Sequence, residues 1–240
     1  RDANFSGAAL AEASFVEAAA LGADFSKAQM PSAKLRGAKL MKASFAHASA
    51  AKASFGKAEL RDANFSGATL AEASFVEAAA LGADFSKAQM PSAKLSGATL
   101  TRASFAQTNA AKADFGTSAL GDASFSGATL AEASFVEAAA AGVDFSKAQM
   151  PSAKLSGATL TRASFAQTNA AKADFGMSAL SDASFSGATL AEASFVEAAA
   201  AGADFCMAEA TKADFRKAEL RDANFSGAAL AEASFVEAAA

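Results

Sequence analysis

Residues 1–20, RDANFSGAALAEASFVEAAA, return letter for letter as residues 221–240. Between the two copies every fifth residue obeys one rule. Phe5, Leu10, Phe15, Ala20, Phe25, Met30, Leu35 and Leu40 open a series that runs unbroken to Ala240. All 48 members of the series are Phe, Leu, Met or Ala, and all 21 Phe of the chain belong to it. Two residues earlier stands Ala in 43 of the 48 cases, the exceptions being Thr108, Ser118, Val143, Thr168 and Ser178, all small.

A period of five suits neither common element. On an α-helix each step of five turns a side chain by about 140°, so the rings would point in every direction. On a flat strand an odd step alternates the faces. Stretches such as AEASFVEAAA have helical propensity, but propensity is a weak prior and the periodicity overrules it. A chain that bends once in five residues keeps every fifth side chain inward, and the backbone becomes a coil of short straight sides.

Four sides make one coil. Every twentieth residue from Phe5 to Phe225 is Phe. A longer block of 60 also recurs, which by itself fits four-sided or three-sided coils. AEASFVEAAA begins at 11, 71, 131, 191 and 231, however, so the last block lacks twenty residues. Removing twenty would rotate a fifteen-residue triangular coil out of register. The inward residues agree: Phe-Leu-Phe-Ala, Phe25-Met30-Leu35-Leu40, Phe45-Ala50-Phe55-Leu60 and Phe205-Ala210-Phe215-Leu220 all carry the same number of side-chain heavy atoms. Constant volume per coil is what a close-packed prism requires. The expected core therefore includes Phe5, Leu10, Phe15, Phe25, Met30, Leu35, Leu40, Phe45, Phe55, Leu60, Phe65, Phe85, Phe105, Phe125, Phe145, Phe165, Phe185, Phe205 and Phe225.

Units such as ANFSG, ADFSK, AKLSG and ATLTR resemble the pentapeptide-repeat family, and the resemblance covers all 240 residues. It implies an all-β fold, a right-handed quadrilateral β-helix, here one uninterrupted solenoid over residues 1–240 with 12 four-sided coils of 20 residues and 48 pentapeptide repeats. With the usual strand spacing of about 4.8 Å, such a rod is roughly 58 Å long. Asn, Asp and Ser before the inward Phe are placed to bond turn amides. Gly7, Gly67 and Gly127 fall after the bend, where freedom from Cβ strain helps, and Pro31, Pro91 and Pro151 can preset it.

The outward residues narrow the function by exclusion. Net charge is −4, from 25 acids and 21 bases, which suits neither a nucleic-acid binder nor a strongly acidic mimic. With no Trp or Tyr, the aromatic rings suit a dry interior better than a binding face. A single Cys rules out an internal disulfide framework and leaves the compartment undetermined; no apolar run is long enough to span a bilayer. One outer column runs Glu12, Ser32, Lys52, Glu72, Ser92, Lys112, Glu132, Ser152, Lys172, Glu192, Lys212 and Glu232, never with like charges in adjacent coils. Neighbouring like charges would repel, so solubility explains this column; long acidic rows imitating phosphates are absent.

No catalytic, cofactor or metal constellation is found. His47 takes a position that Gln107 and Gln167 fill in other blocks and reads as a solvated surface residue. Cys206 replaces a Ser of its column. Lys34, Arg36, Lys39 and Lys42 form a basic cluster that later blocks dilute with Ser and Thr, so it reads as a solvated face. Thr rows of the kind an ice-binding surface needs are broken. Val16, Val76, Val136, Val196 and Val236, with Leu21 and Leu81, recur on one side and mark a candidate lateral contact.

The function expected is structural: a rigid rod, a segment of a longer array or filament, that spaces or scaffolds other molecules. Self-association, head to tail or lateral, is the expected partnership; other proteins are possible partners, and nucleic acid and membrane are not expected. The family resemblance implies a second reading, since some members look like duplex DNA and bind type II topoisomerases, though through acidic surfaces and a dimerising end not found here. A protein-binding scaffold is the third.

Overall fold

The computed structural model describes residues 2–239. No helix forms among them, and each pentad contributes a single bridge residue rather than a long strand. Every bridge is parallel and joins residue i to residue i+20, from Asn4↔Asp24 to Glu219↔Ala239. The coil therefore closes after twenty residues throughout, as the missing twenty-residue unit near the end requires.

Each pentad uses its backbone in the same way. The inward residue begins a four-residue turn closed by a hydrogen bond from the N–H three residues on, as from Ala8 to the Phe5 carbonyl (3.0 Å). The third residue of that turn has positive φ in every described pentad, the arrangement of a type II turn. The inward residue donates to the next coil (Phe5 N–H to Asp24 O, 2.7 Å), as does the corner residue (Gly7 N–H to Ser26 O, 2.8 Å). The residue just before the inward one donates to the previous coil (Asp24 N–H to Ala3 O, 2.9 Å). Where that residue is Asn or Asp, its side chain accepts the amide beyond the bend, as Asp24 does from Ser26 at 2.8 Å. Buried backbone groups are thus paired at each step, which a one-residue strand could not achieve alone.

Glycine was expected at the positive-φ corner, and it does stand there in Gly7, Gly67 and Gly127. The same conformation is also imposed on Glu, Lys, Asp, Arg and His, for instance Glu12 at φ 58° and Lys112 at φ 60°. Such residues avoid this region when free to choose; here a turn bond holds each corner from Gly7 onward, and each up to Lys217 also donates to the next coil. Pro31, Pro91 and Pro151 occupy the second turn position, where their fixed φ fits and no N–H is needed.

Inside, the Phe of the first side stack on one another from Phe5 to Phe225, with ring centroids 4.6–5.1 Å apart. Edge-on contacts from the opposite side, such as Phe55 with Phe65 at 5.3 Å and 90°, lock the column laterally. Two joints are tilted: Phe125–Phe145 by 23° and Phe145–Phe165 by 17°. Two residues before Phe145 stands Val143, the one place where that buried small residue is a branched apolar one. The other exceptions are polar and satisfied. Thr108 and Thr168 donate to the Phe85 and Phe145 carbonyls, and Ser118 and Ser178 to those of Phe115 and Phe175.

Phe25 through Phe215 of the core are buried, as are Met30, Leu35, Leu40 and Leu60. Phe5, Leu10, Phe15 and Phe225, expected inside, are only partly buried, because each packs against one neighbouring coil rather than two.

Candidate interaction surface

Nothing can bind inside a filled prism, so chemistry is confined to four flat sides and four corners. Each corner side chain leaves a positive-φ residue and lies along the axis beside the corner of the next coil, one strand spacing away. Glycine corners accommodate this closely. A Cβ on Gly82 would meet Asp62 Oδ1 at 2.8 Å, and one on Gly67 would meet His47 Nδ1 at 2.6 Å. His47 is thus an exposed ring lying over a glycine, not part of a ligand cluster.

Several corner bases pair with an acid one coil away. Lys57 Nζ reaches Glu77 at 3.2 Å, Lys172 reaches Glu192 at 3.7 Å, and Lys52 reaches Glu72 at 3.9 Å. Lys112–Glu132 and Lys212–Glu232 each close at 3.8 Å. These side chains are more than half exposed, so each pair contributes less than about 1 kcal/mol. The tightest surface pair lies within one pentad: Arg216 forks onto Asp214 through Nε (2.9 Å) and Nη2 (2.6 Å). That fork holds the Asp214 carboxyl below its ordinary range and pushes the Arg216 guanidinium up. Asp24 is also lowered, by the Ser26 hydroxyl and then the Ser26 N–H.

Two shallow grooves follow the corners. One, of about 530 Å³, is lined by Asp2, Leu21, Gly22, Met41, Lys42, Arg61 and Asp62; the other, about 240 Å³, by Val196, Glu197, Arg216, Lys217, Val236 and Glu237. Both are open furrows of mixed charge. Among the described residues no group of three His, Cys, Asp or Glu is placed to hold a metal, and no helix is long and apolar enough to cross a membrane. Cys206 is a half-buried free thiol.

The five Val of the candidate lateral set share one column, and Leu21 and Leu81 lie in another. Val16 and Val236 are 48% and 61% exposed, while Val76, Val136 and Val196 are half-buried. They do not touch, since Arg36, Gly56, Ser96, Gly116, Ser156, Gly176 and Arg216 occupy the rungs between them. Lys34, Arg36 and Lys39 lie exposed on neighbouring sides. Exposed Met177 and Met207 went unnoticed in the sequence because corner residues follow no apolar pattern.

The pentapeptide-repeat family model matches in eight copies covering residues 1–40, 38–75, 58–97, 92–116, 118–157, 152–187, 178–216 and 201–235. This chain is a pentapeptide-repeat protein. Solved structures of such proteins are of the right-handed β-helix type, the architecture expected from the sequence. One similar structure is HetL, a pentapeptide repeat protein involved in heterocyst differentiation regulation from the cyanobacterium Nostoc sp. strain PCC 7120. It is 27% identical, with 89% of this chain and 87% of that one covered and a TM-score of 0.36. Full-length QnrB1, a plasmid-mediated fluoroquinolone resistance protein, is 16% identical over 90% of this chain and 91% of its own, at a TM-score of 0.36. A pentapeptide repeat protein of the Arabidopsis thaliana thylakoid lumen is 30% identical over 52% of this chain and 69% of its own, at 0.27. No curated relative matches the sequence.

Proposed function

We propose that this pentapeptide-repeat protein is a rigid β-solenoid rod, twelve four-sided coils built from 48 pentads, that spaces or scaffolds other molecules rather than transforming them. The observation that carries this reading is the phenylalanine column, continuous from Phe5 to Phe225 and matched by an unbroken i to i+20 ladder. With no hinge along the ladder, the sides stay straight and hold whatever docks on them at fixed separations. Its partners in this reading are other proteins and further copies of the solenoid. Whether two such rods join end to end is set by charge at the coil edges, because their cores match in every coil. Modulation of DNA gyrase by duplex mimicry is the weaker reading, since acids along the corners are separated by basic or uncharged residues instead of forming rows.

The rod is tested by spin labels at Ser32→Cys and Ser152→Cys in a Cys206→Ser background. Both sites are exposed and lie in one column, six coils apart. The expected result is a narrow distance distribution near 29 Å, from the strand spacing of about 4.8 Å. A broad or multimodal distribution would overturn the rigid reading. A supercoiling assay addresses the second: protection of gyrase from a quinolone would reverse the ranking.

A further inference from the structure

The charges on the corners follow a rule that no single column reveals. Taking every residue i with residue i+20, which the ladder makes axial neighbours, no two like charges meet among the described residues. Wherever two charged residues do meet, one is an acid and the other a base: Lys39–Glu59, Lys42–Asp62, Lys94–Asp114, Arg102–Asp122 and Glu197–Lys217 are examples from several columns. The pattern has three steps. Coil 61–80 carries an acidic ring of Asp62, Glu72 and Glu77; coil 81–100 shows Gly82, Ser92 and Gly97 at the same three corners and Lys87 at the fourth; coil 41–60 shows Lys42, Lys52 and Lys57. An acidic ring thus lies between a basic ring and one whose matching three corners are uncharged.

The core cannot enforce this order. All coils enclose the same volume, all present a Phe to the stack, and every edge offers the same rungs. A coil could therefore stack on its own equivalent with no loss of packing or backbone pairing. At the corners it could not. Charges recur every 60 residues, so equivalent coils would set Asp against Asp and Glu against Glu, or Lys against Lys, about 4.8 Å apart.

We propose that the corner rings form an electrostatic address that admits a coil of opposite or neutral ring and rejects a like one, and that a second copy of this chain is the partner it screens. This holds whether or not the rod serves as a scaffold. It bears directly on head-to-tail association. Stacking the coil 221–239 of one copy on the coil 2–20 of another sets Asp222, Glu232 and Glu237 over Asp2, Glu12 and Glu17. Turning the second copy by one, two or three sides still opposes two acids to two acids at the corners, and never an acid to a base. The edge that would be accepted there is a basic ring like Lys42, Lys52 and Lys57.

The test is the triple substitution Asp2→Lys, Glu12→Lys, Glu17→Lys in the 240-residue chain. Its axial neighbours Gly22, Ser32 and Gly37 are uncharged, so no internal pair is lost. Association is followed by light scattering and electron microscopy across a salt series, with circular dichroism as the control for folding. The two proteins should show opposite slopes. The unaltered chain stays as single rods at low salt and associates more as salt screens its rings; the triple variant joins end to end at low salt, roughly tenfold or more tightly, and comes apart as salt rises. Equal salt dependence in both, or single rods of a folded triple variant at low salt, overturns the proposal. If the variant does not fold, the unaltered chain decides alone: end-to-end association that weakens with salt refutes the address. Rods that bend or vary in width in the same images would instead count against the rigid reading.

Discussion

The phenylalanine column and the corner columns run side by side along the same ladder and are built by opposite rules. In the column every coil contributes the same ring, and like stacks on like at 4.6–5.1 Å. At the corners like never follows like. The difference is one of solvent and charge. A neutral ring loses nothing by lying on an identical neighbour and gains dispersion and burial, whereas an identical charge one strand spacing away is repelled. The interior therefore fixes the fold without caring about coil order, and the surface fixes order while contributing little to stability.

The largest expected effect breaks the column. Phe105→Ala, in the buried middle, should cost about 3–5 kcal/mol, read as a shift of the denaturant midpoint. Phe235→Ala should cost about half as much or less, because Phe235 is already 39% exposed. Equal losses at the two sites would mean that burial does not set the cost of losing a ring. Overfilling comes next. Ala110→Leu adds volume to a coil that already holds its full share, at a cost of about 1–3 kcal/mol; the companion Leu120→Ala in that coil should recover part of it, a coupling that thermal melts of the single and double variants can resolve.

Smaller effects probe the corners. Lys112→Glu replaces the Lys112–Glu132 pair by two like charges and should destabilise by no more than about 1 kcal/mol, shrinking in high salt. A loss that is independent of salt would contradict an electrostatic corner. At the same kind of site, Lys112→Gly relieves a non-glycine residue at φ 60° while loosening the unfolded chain. The net change should stay within about 1 kcal/mol, in contrast to the plain loss that glycine causes in an ordinary strand.

The pH dependence has a fixed sign. Asp24 and Asp214 are lowered by hydrogen bonds to their ionised forms, Asp24 by Ser26 and Asp214 by Arg216. Their contribution is therefore fully present above the unfolded value of 3.8 and disappears as pH falls through the lowered folded values. Asp214→Asn should be less stable than the unaltered chain near neutrality, and the two should converge in acid. A gap that persists in strong acid would place the loss in packing instead.

Much of this was legible in the residues. The five-residue phase, the four-sided coil and the core from Phe25 to Phe215 follow from inward positions that tolerate only Phe, Leu, Met or Ala, and the observed i to i+20 ladder agrees. Less legible was the positive φ of Lys, Glu and Asp corners, because side-chain preference points away from it and only the paired backbone of neighbouring coils imposes it. The Val residues mark one side in the sequence, but that those 60 apart lie three rungs apart, with other side chains between them, is visible only once the coils are stacked. The Arg216 fork onto Asp214 was missed because two residues on the two sides of a bend give no periodic signal.

By itself, then, the sequence determined the period, the cross-section and the contents of the core, since volume and hydrophobicity are properties of residues counted along the chain. Tertiary structure alone decided what each outward residue meets. Axial neighbours are twenty residues apart, so whether a corner Lys faces Glu, Gly or Lys depends on coil closure, and with it whether a coil edge attracts or refuses another.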